Sequence, residues 1–144
     1  MTIQYLLIVA SIDMLMSAVV NAAPVTYVCP QSIPAASIHL VAPGPEWMPF
    51  MSSPLYLHSA APADGPPAQM GVLQERSSTK TKAGWTDKYV LEGPYPDGKW
   101  LRCDYGSFGS ASLAKRLPDT THECTVTGKK GKHAGENQIA IQCL

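Results

Sequence analysis

The sequence predicts a mainly β domain: a small antiparallel β-sheet, meander or sandwich, with two disulfides, preceded by a helical signal peptide. Three observations carry this expectation. Short runs of alternating polarity recur along the chain and are separated by Gly/Pro/Asp turns. The 13 prolines and a charged fraction of only 15% disfavour a helical bundle. Four cysteines follow an apolar N-terminal stretch of the export type. The 144 residues leave room for one domain, and a 45% apolar content is enough for a core.

Residues 5–10 and 12–20 form one apolar stretch, broken only by Ser11, Asp13 and Ser17. Val20-Asn21-Ala22 then fits the pattern that signal peptidase requires, with small side chains (valine included) one and three residues before the cut. The expected organisation is a signal peptide over 1–22 and a single disulfide-stabilised β domain over 23–144. The first four residues carry no Lys or Arg, and Asp13 interrupts the apolar run. The alternative, an uncleaved anchor, places that carboxylate in the bilayer at a cost of roughly 2.5–3.5 kcal/mol. No cysteine stands at the cut to take a lipid. The mature chain is therefore expected in the periplasm or outside the cell, with no stable membrane insertion.

The mature elements follow in order. Val25, Tyr27 and Cys29 alternate with Thr26 and Val28, predicting a first strand that Pro30 stops. Residues 38–41 read as a short second strand, and Pro43-Gly44-Pro45 ends it. Residues 46–51 are apolar but interrupted, predicting a packed loop. Residues 55–60 alternate as a strand, and residues 62–67, with Asp64-Gly65, read as a turn. Residues 70–74 read as another short strand. Residues 75–82 show no apolar period and read as a mobile exposed loop. Strands are predicted over 85–91, 99–105 and 111–117, with turns at 93–98 and 106–109. Leu101, Cys103 and Tyr105 share one face of the second of these. A last hairpin pairs 123–127 with 138–143 across the glycine-rich, basic segment 128–137.

Cys29, Cys103, Cys124 and Cys143 all fall in the mature part and lack any C-x-x-C pair, so zinc spacing is poor and disulfides are expected. The final hairpin brings Cys124 and Cys143 together at its open end, which favours Cys124–Cys143 and leaves Cys29–Cys103. Cys103–Cys124 is the alternative. Each bond is expected to contribute roughly 3–5 kcal/mol in the loop-entropy model.

Trp100-Leu101-Arg102-Cys103-Asp104-Tyr105, read with Cys29-Pro30, Asp64-Gly65-Pro66-Pro67, Trp85, Leu117-Pro118, Cys124 and Cys143, resembles a known layout. It is similar to a small family of exported, functionally uncharacterised proteins of Gram-negative bacteria, named after a Salmonella Typhi open reading frame. The resemblance spans nearly all the mature chain, although residues 75–82 and the lysine-rich final turn depart from it. It implies an exported, cystine-containing fold and no particular activity.

Function is weighed by exclusion. Lys plus Arg equal Asp plus Glu at 11 each, and removing residues 1–22 discards Asp13 alone and leaves a net charge of +1. That balance gives no reason to expect nucleic acid. No G-x-S-x-G elbow occurs; Ser107 and Ser110 lie in a Gly-rich corner, and His39, His58, His122 and His133 are scattered. Glu46, Asp87, Asp104 and Glu123 read as surface charge. No catalytic residue, cofactor or metal is assigned, and no enzyme is expected. Trp85 and Trp100 are expected in the core. Trp47 and Tyr95 sit in Pro/Gly segments and are candidate contact residues. Lys129, Lys130, Lys132 and His133 form a basic turn suited to an acidic cleft on a protein partner. The expectation is a non-enzymatic, protein-binding inhibitor or immunity-type protein acting in the periplasm against a cell-wall-directed enzyme. A carbohydrate or envelope-ligand module using Trp47 and Tyr95 is the alternative, and a small hydrolase comes third.

Overall fold

Alternating polarity makes a strand only where a neighbouring strand completes its hydrogen bonds, and that requirement sets the observed boundaries. The computed structural model describes residues 23–144, so the signal peptide expected over 1–22 lies outside the described residues. The strands are β1 Val25–Tyr27, β2 Ser32–Ile33, β3 Leu55–Asp64, β4 Gly71–Val72, β5 Ser77–Lys80, β6 Trp85–Val90, β7 Lys99–Tyr105, β8 Ala111–Arg116, β9 Glu123–Lys130 and β10 Asn137–Cys143. They build two antiparallel sheets, ordered β1-β10-β9-β6-β5 and β2-β3-β7-β8, with β4 paired to the end of β3. Short 3-10 turns occupy Ala35–Ser37 and Pro67–Gln69.

One buried cluster draws on both sheets. Leu57 and Ala60 come from β3, Tyr89 from β6, and Leu101, Cys103 and Tyr105 from β7. Cys124 and Val126 come from β9, Ile141 and Cys143 from β10, and Cys29, Leu91 and Leu117 join from the connections. Each large aliphatic side chain here contributes on the order of 1.5–3 kcal/mol. The Tyr105 hydroxyl donates to the Pro30 carbonyl at 2.9 Å. Burial, with the Asp104 carboxylate second, pushes that phenol up to about 12.

Both expected cystines are present. Cys29–Cys103 ties the N-terminal segment to β7, with Cα atoms 5.9 Å apart. Cys124 and Cys143 stand directly opposite in the β9–β10 ladder, with Cα atoms 4.1 Å apart. On the other face of β7, Asp104 accepts from Ser59 Oγ and Ser112 Oγ on the flanking strands and pairs with Arg102 Nε at 3.0 Å. The buried Lys99 Nζ donates to the carbonyls of Asp119 and Thr121 at 2.9 and 2.6 Å.

Several local expectations are corrected. Residues 38–41 are not a strand, because nothing pairs with them after the 3-10 turn. The first strand ends at Tyr27 rather than reaching Pro30. Residues 46–51 are a loop but not a packed one, since Trp47, Met48 and Phe50 are exposed. β3 runs through Pro62 to Asp64, where a turn was expected. Pro62 is tolerated because that part of β3 is paired only with β7, so its missing N–H breaks no second ladder. Residues 77–80 form an edge strand inside the expected loop; both faces are open, so no apolar alternation marks it. β9 continues to Lys130, which moves Lys129 and Lys130 out of the turn and onto a strand.

The sequence separations of 74 and 19 residues predict unequal cystine contributions. Cys29→Ala/Cys103→Ala is expected to lose about 4.5 kcal/mol and Cys124→Ala/Cys143→Ala about 3.3 kcal/mol in the loop-entropy model. Urea unfolding of the two double variants checks the order.

Candidate functional site

The β9–β10 hairpin carries the basic residues, and its tip is held from several directions. Lys130 pairs with Asn137 and Lys129 with Gln138, so the turn proper spans residues 131–136. The Gly131 N–H donates to the Glu136 carbonyl at 2.9 Å and closes it. Inside the turn, Glu136 Oε2 accepts from the backbone N–H groups of Lys132 and His133, each at 2.8 Å. Its Oε1 accepts from Gln31 Nε2 at 3.0 Å. The bond from the His133 N–H, aided by those from Lys132 and Gln31, holds this carboxyl below its ordinary 4.5. The Glu136 side chain lies where a Cβ on residue 131 would sit, so glycine is needed there.

The second sheet supplies the other anchors. The β3–β7 register slips between Leu57 and Ser59, leaving His58 as the extra residue of a bulge. Its freed carbonyl accepts from Asn137 Nδ2, and its Nδ1 lies 3.1 Å from the Gly135 carbonyl. A carbonyl only accepts, so His58 carries its proton on Nδ1. Two residues earlier, the Tyr56 ring stacks on His133 with centroids 4.1 Å apart and planes 11° apart. Gln31 Nε2 also donates to the Asn137 carbonyl at 2.9 Å. The three lysines thus project from a tip whose backbone is already ordered.

Beside the hairpin runs a groove of about 720 Å³. Lys80, Lys82, Lys129 and Lys130 line it, against the acidic Glu75 and Asp87, so its balance is positive. Trp85 forms part of its wall, with the indole lying over Gly128, where any side chain would collide with it. Asn137 is another wall residue; it is 5% exposed, and its Oδ1 has no hydrogen-bond partner. The groove therefore offers ammonium groups for carboxylates.

The other candidate residues lie elsewhere. Trp47 is exposed in the loop after the first 3-10 turn. Tyr95 is half-buried against the core, with Lys99 Nζ 5.2 Å above its ring. Trp85 and Trp100, expected in the core, are half-buried and stand outside the central cluster. Ser107 and Ser110 close the β7–β8 corner through a 2.7 Å bond from Ser110 Oγ to the Ser107 carbonyl. Among the described residues, no group of three His, Cys, Asp or Glu side chains is placed to hold a metal ion. No helix among them is long and apolar enough to cross a membrane. Gln31, His58, Glu136 and Asn137 were not singled out by sequence, because their partners lie up to 106 residues away.

Residues 52–144 match the family model described as Type VI secretion system Tli immunity protein. No curated protein and no solved structure matches the chain. The match supports the exported, immunity-type character expected of the sequence, under a different description from the family named after the Salmonella Typhi reading frame.

Because the Glu136 carboxyl is held low, its contribution to the turn is complete above 4.5 and is lost as pH falls through the lowered value. Hydrogen exchange at the Lys132 and His133 amides is expected to accelerate on acidification below that point, relative to core amides. Glu136→Ala is expected to expose the same two amides at neutral pH, since it removes the one oxygen that accepts from both.

Proposed function

We propose, from the premise that this chain belongs to the Type VI secretion system Tli immunity protein family, that the β9–β10 hairpin and its groove grip the effector. The protein is a protein-binding immunity protein directed against a secreted effector. The finer reading is that the effector is a lipase acting on the cell envelope, met in the periplasm by a mature chain beginning at residue 23. On this reading the chain acts by occupying the effector's surface and does no chemistry of its own.

One observation carries the assignment of the surface: three lysines stand on a hairpin tip pinned by Glu136, His58, Gln31 and the Tyr56–His133 stack. A tip ordered before binding loses little conformational entropy on docking, which favours tight complexes. Clustered ammonium groups steer an acidic partner and raise the association rate. The groove adds Lys80 and Lys82 to the same positive field. A carbohydrate-binding role for Trp47 and Tyr95 has less support, since Lys99 covers the Tyr95 ring.

Replacing Lys129, Lys130 and Lys132 with Glu is expected to slow association with the purified effector at least tenfold at low salt, with a smaller effect at high salt. Folding stability should change by less than about 0.5 kcal/mol, because all three side chains are exposed. Biolayer interferometry over a salt series reads the rate. An unchanged rate removes the hairpin from the interface.

A further inference from the structure

The sheet that carries the hairpin ends in an open strand. In the order β1-β10-β9-β6-β5, β5 pairs with β6, and no strand flanks its other side among the described residues. All four of its residues, Ser77–Lys80, are exposed. The strand is nonetheless held at its end. A two-residue turn links it to β6, and there the Thr81 N–H donates to the Gly84 carbonyl at 2.8 Å. Thr81 Oγ1 accepts from the N–H groups of Ala83 and Gly84, each at 3.2 Å. The other sheet edges offer less. β1 and β2 are three and two residues long, and the 3-10 turn Pro67–Gln69 packs beside β8.

The β5–β6 ladder decides which backbone groups are open. Facing residues of an antiparallel pair alternate between exchanging hydrogen bonds and turning those groups away from each other. Thr81 bonds to Gly84, so Thr79 with Thr86 and Ser77 with Lys88 are the other bonded pairs. Ser78 and Lys80 therefore turn their N–H and carbonyl groups away from β6, toward the open side. Their side chains line the lysine groove beside the hairpin. One short strand thus presents two donors and two acceptors along its edge and contributes to the groove with its face.

We propose that β5 receives an extended, acidic segment of the effector as a sixth strand of this sheet. The proposal rests on the reading above, that the hairpin and its groove grip the effector. The backbone of β5 sets the form of the occupant, because a row of alternating donors and acceptors is completed by extended chain. The groove sets its charge. Residues of the added strand on the groove side stand beside Lys80, and Lys82, Lys129 and Lys130 line the same groove against Glu75 and Asp87. Opposite charges on neighbouring strands stabilise the pairing, and like charges oppose it. Lysine on an edge strand guards it against a second copy of itself, and the same ammonium group admits a strand bearing Asp or Glu. An anionic lipid headgroup uses the ammonium groups but not the row of β5 backbone groups.

The test uses the protein with both cystines intact and the purified effector of the same secretion locus. Ser78→Pro removes a donor that faces away from β6, at an edge position where proline is tolerated, whereas Ser78→Ala keeps it. Ser78→Pro is expected to raise Kd about 30-fold, as the loss of a paired hydrogen bond at a desolvated interface does, and Ser78→Ala no more than about twofold. Lys80→Glu is expected to weaken the complex about tenfold. Amide exchange reads the edge in the unsubstituted protein. The Ser78 and Lys80 amides are expected to slow at least about 30-fold on binding, while Thr79, already bonded to β6, changes little. Ser78 and Lys80 amides that exchange in the complex as in the free protein overturn the added strand, as does wild-type affinity in Ser78→Pro. A Ser78→Pro variant that changes only the chain's self-association, or only its sedimentation with phosphatidylglycerol vesicles, overturns it too. Wild-type affinity in Lys80→Glu overturns the acidic character of the segment. If the Lys129/Lys130/Lys132 reversal slows association while the two amides stay open, the hairpin reading stands and the added strand falls. If the two amides close and the reversal binds normally, the hairpin assignment falls and the added strand stands. A wild-type protein that does not bind the effector overturns both.

Discussion

The hairpin and the groove both depend on a core in which cystines do much of the joining. Four of the residues in the central buried cluster are half-cystines. Cys124–Cys143 spans two strands that are already hydrogen-bonded and fixes their register at the root of the hairpin. Cys29–Cys103 joins a segment with only three residues of strand to the middle of the other sheet. Gln31 follows two residues later, so this bond also places the side chain that reaches Glu136 and Asn137. β1 itself meets β10 through only three residues, so this bond adds a constraint that its short ladder does not supply.

With both roots fixed, the bulge at His58 takes on a specific role. An extra residue in a strand turns a carbonyl and a side chain away from the ladder. Here the carbonyl meets Asn137 and the imidazole meets Gly135, so the defect in one sheet becomes the socket for the turn of the other. Glu136 completes the socket from inside the turn. The one negative side chain of the tip is thereby consumed in hydrogen bonds, and Lys129, Lys130 and Lys132 face outward without it. For an immunity protein this division is useful. The same contacts that order the loop also leave its field positive.

Charge and apolarity are segregated along the chain. All the Lys and Arg residues lie after residue 75, while the exposed apolar loop 38–51 precedes them and carries only Glu46 as a formal charge. At the basic end the start of β3, the β7–β8 corner and the β9–β10 turn meet around one cavity.

Strands buried on one face were legible in the sequence, since alternation survives wherever one side is wet. β7 has the predicted bounds, and β6, β8, β9 and β10 differ from theirs only at the ends. The cystine pairing followed from the final hairpin. β5 was not legible, because an edge strand open on both faces has no apolar period, and neither was the run of β3 through Pro62. The exposed loop 46–51 also misled: apolar residues between prolines suggest packing, and only the fold shows that nothing lies over them. By itself the sequence determined the β class, the cystine pairing and the basic character of the last hairpin. The groove, the His58 socket and the meeting of the start of β3, the β7–β8 corner and the hairpin turn were decided by tertiary structure, because each joins side chains from strands far apart in sequence. Local periodicity records only whether a neighbour buries a face, not which neighbour it is.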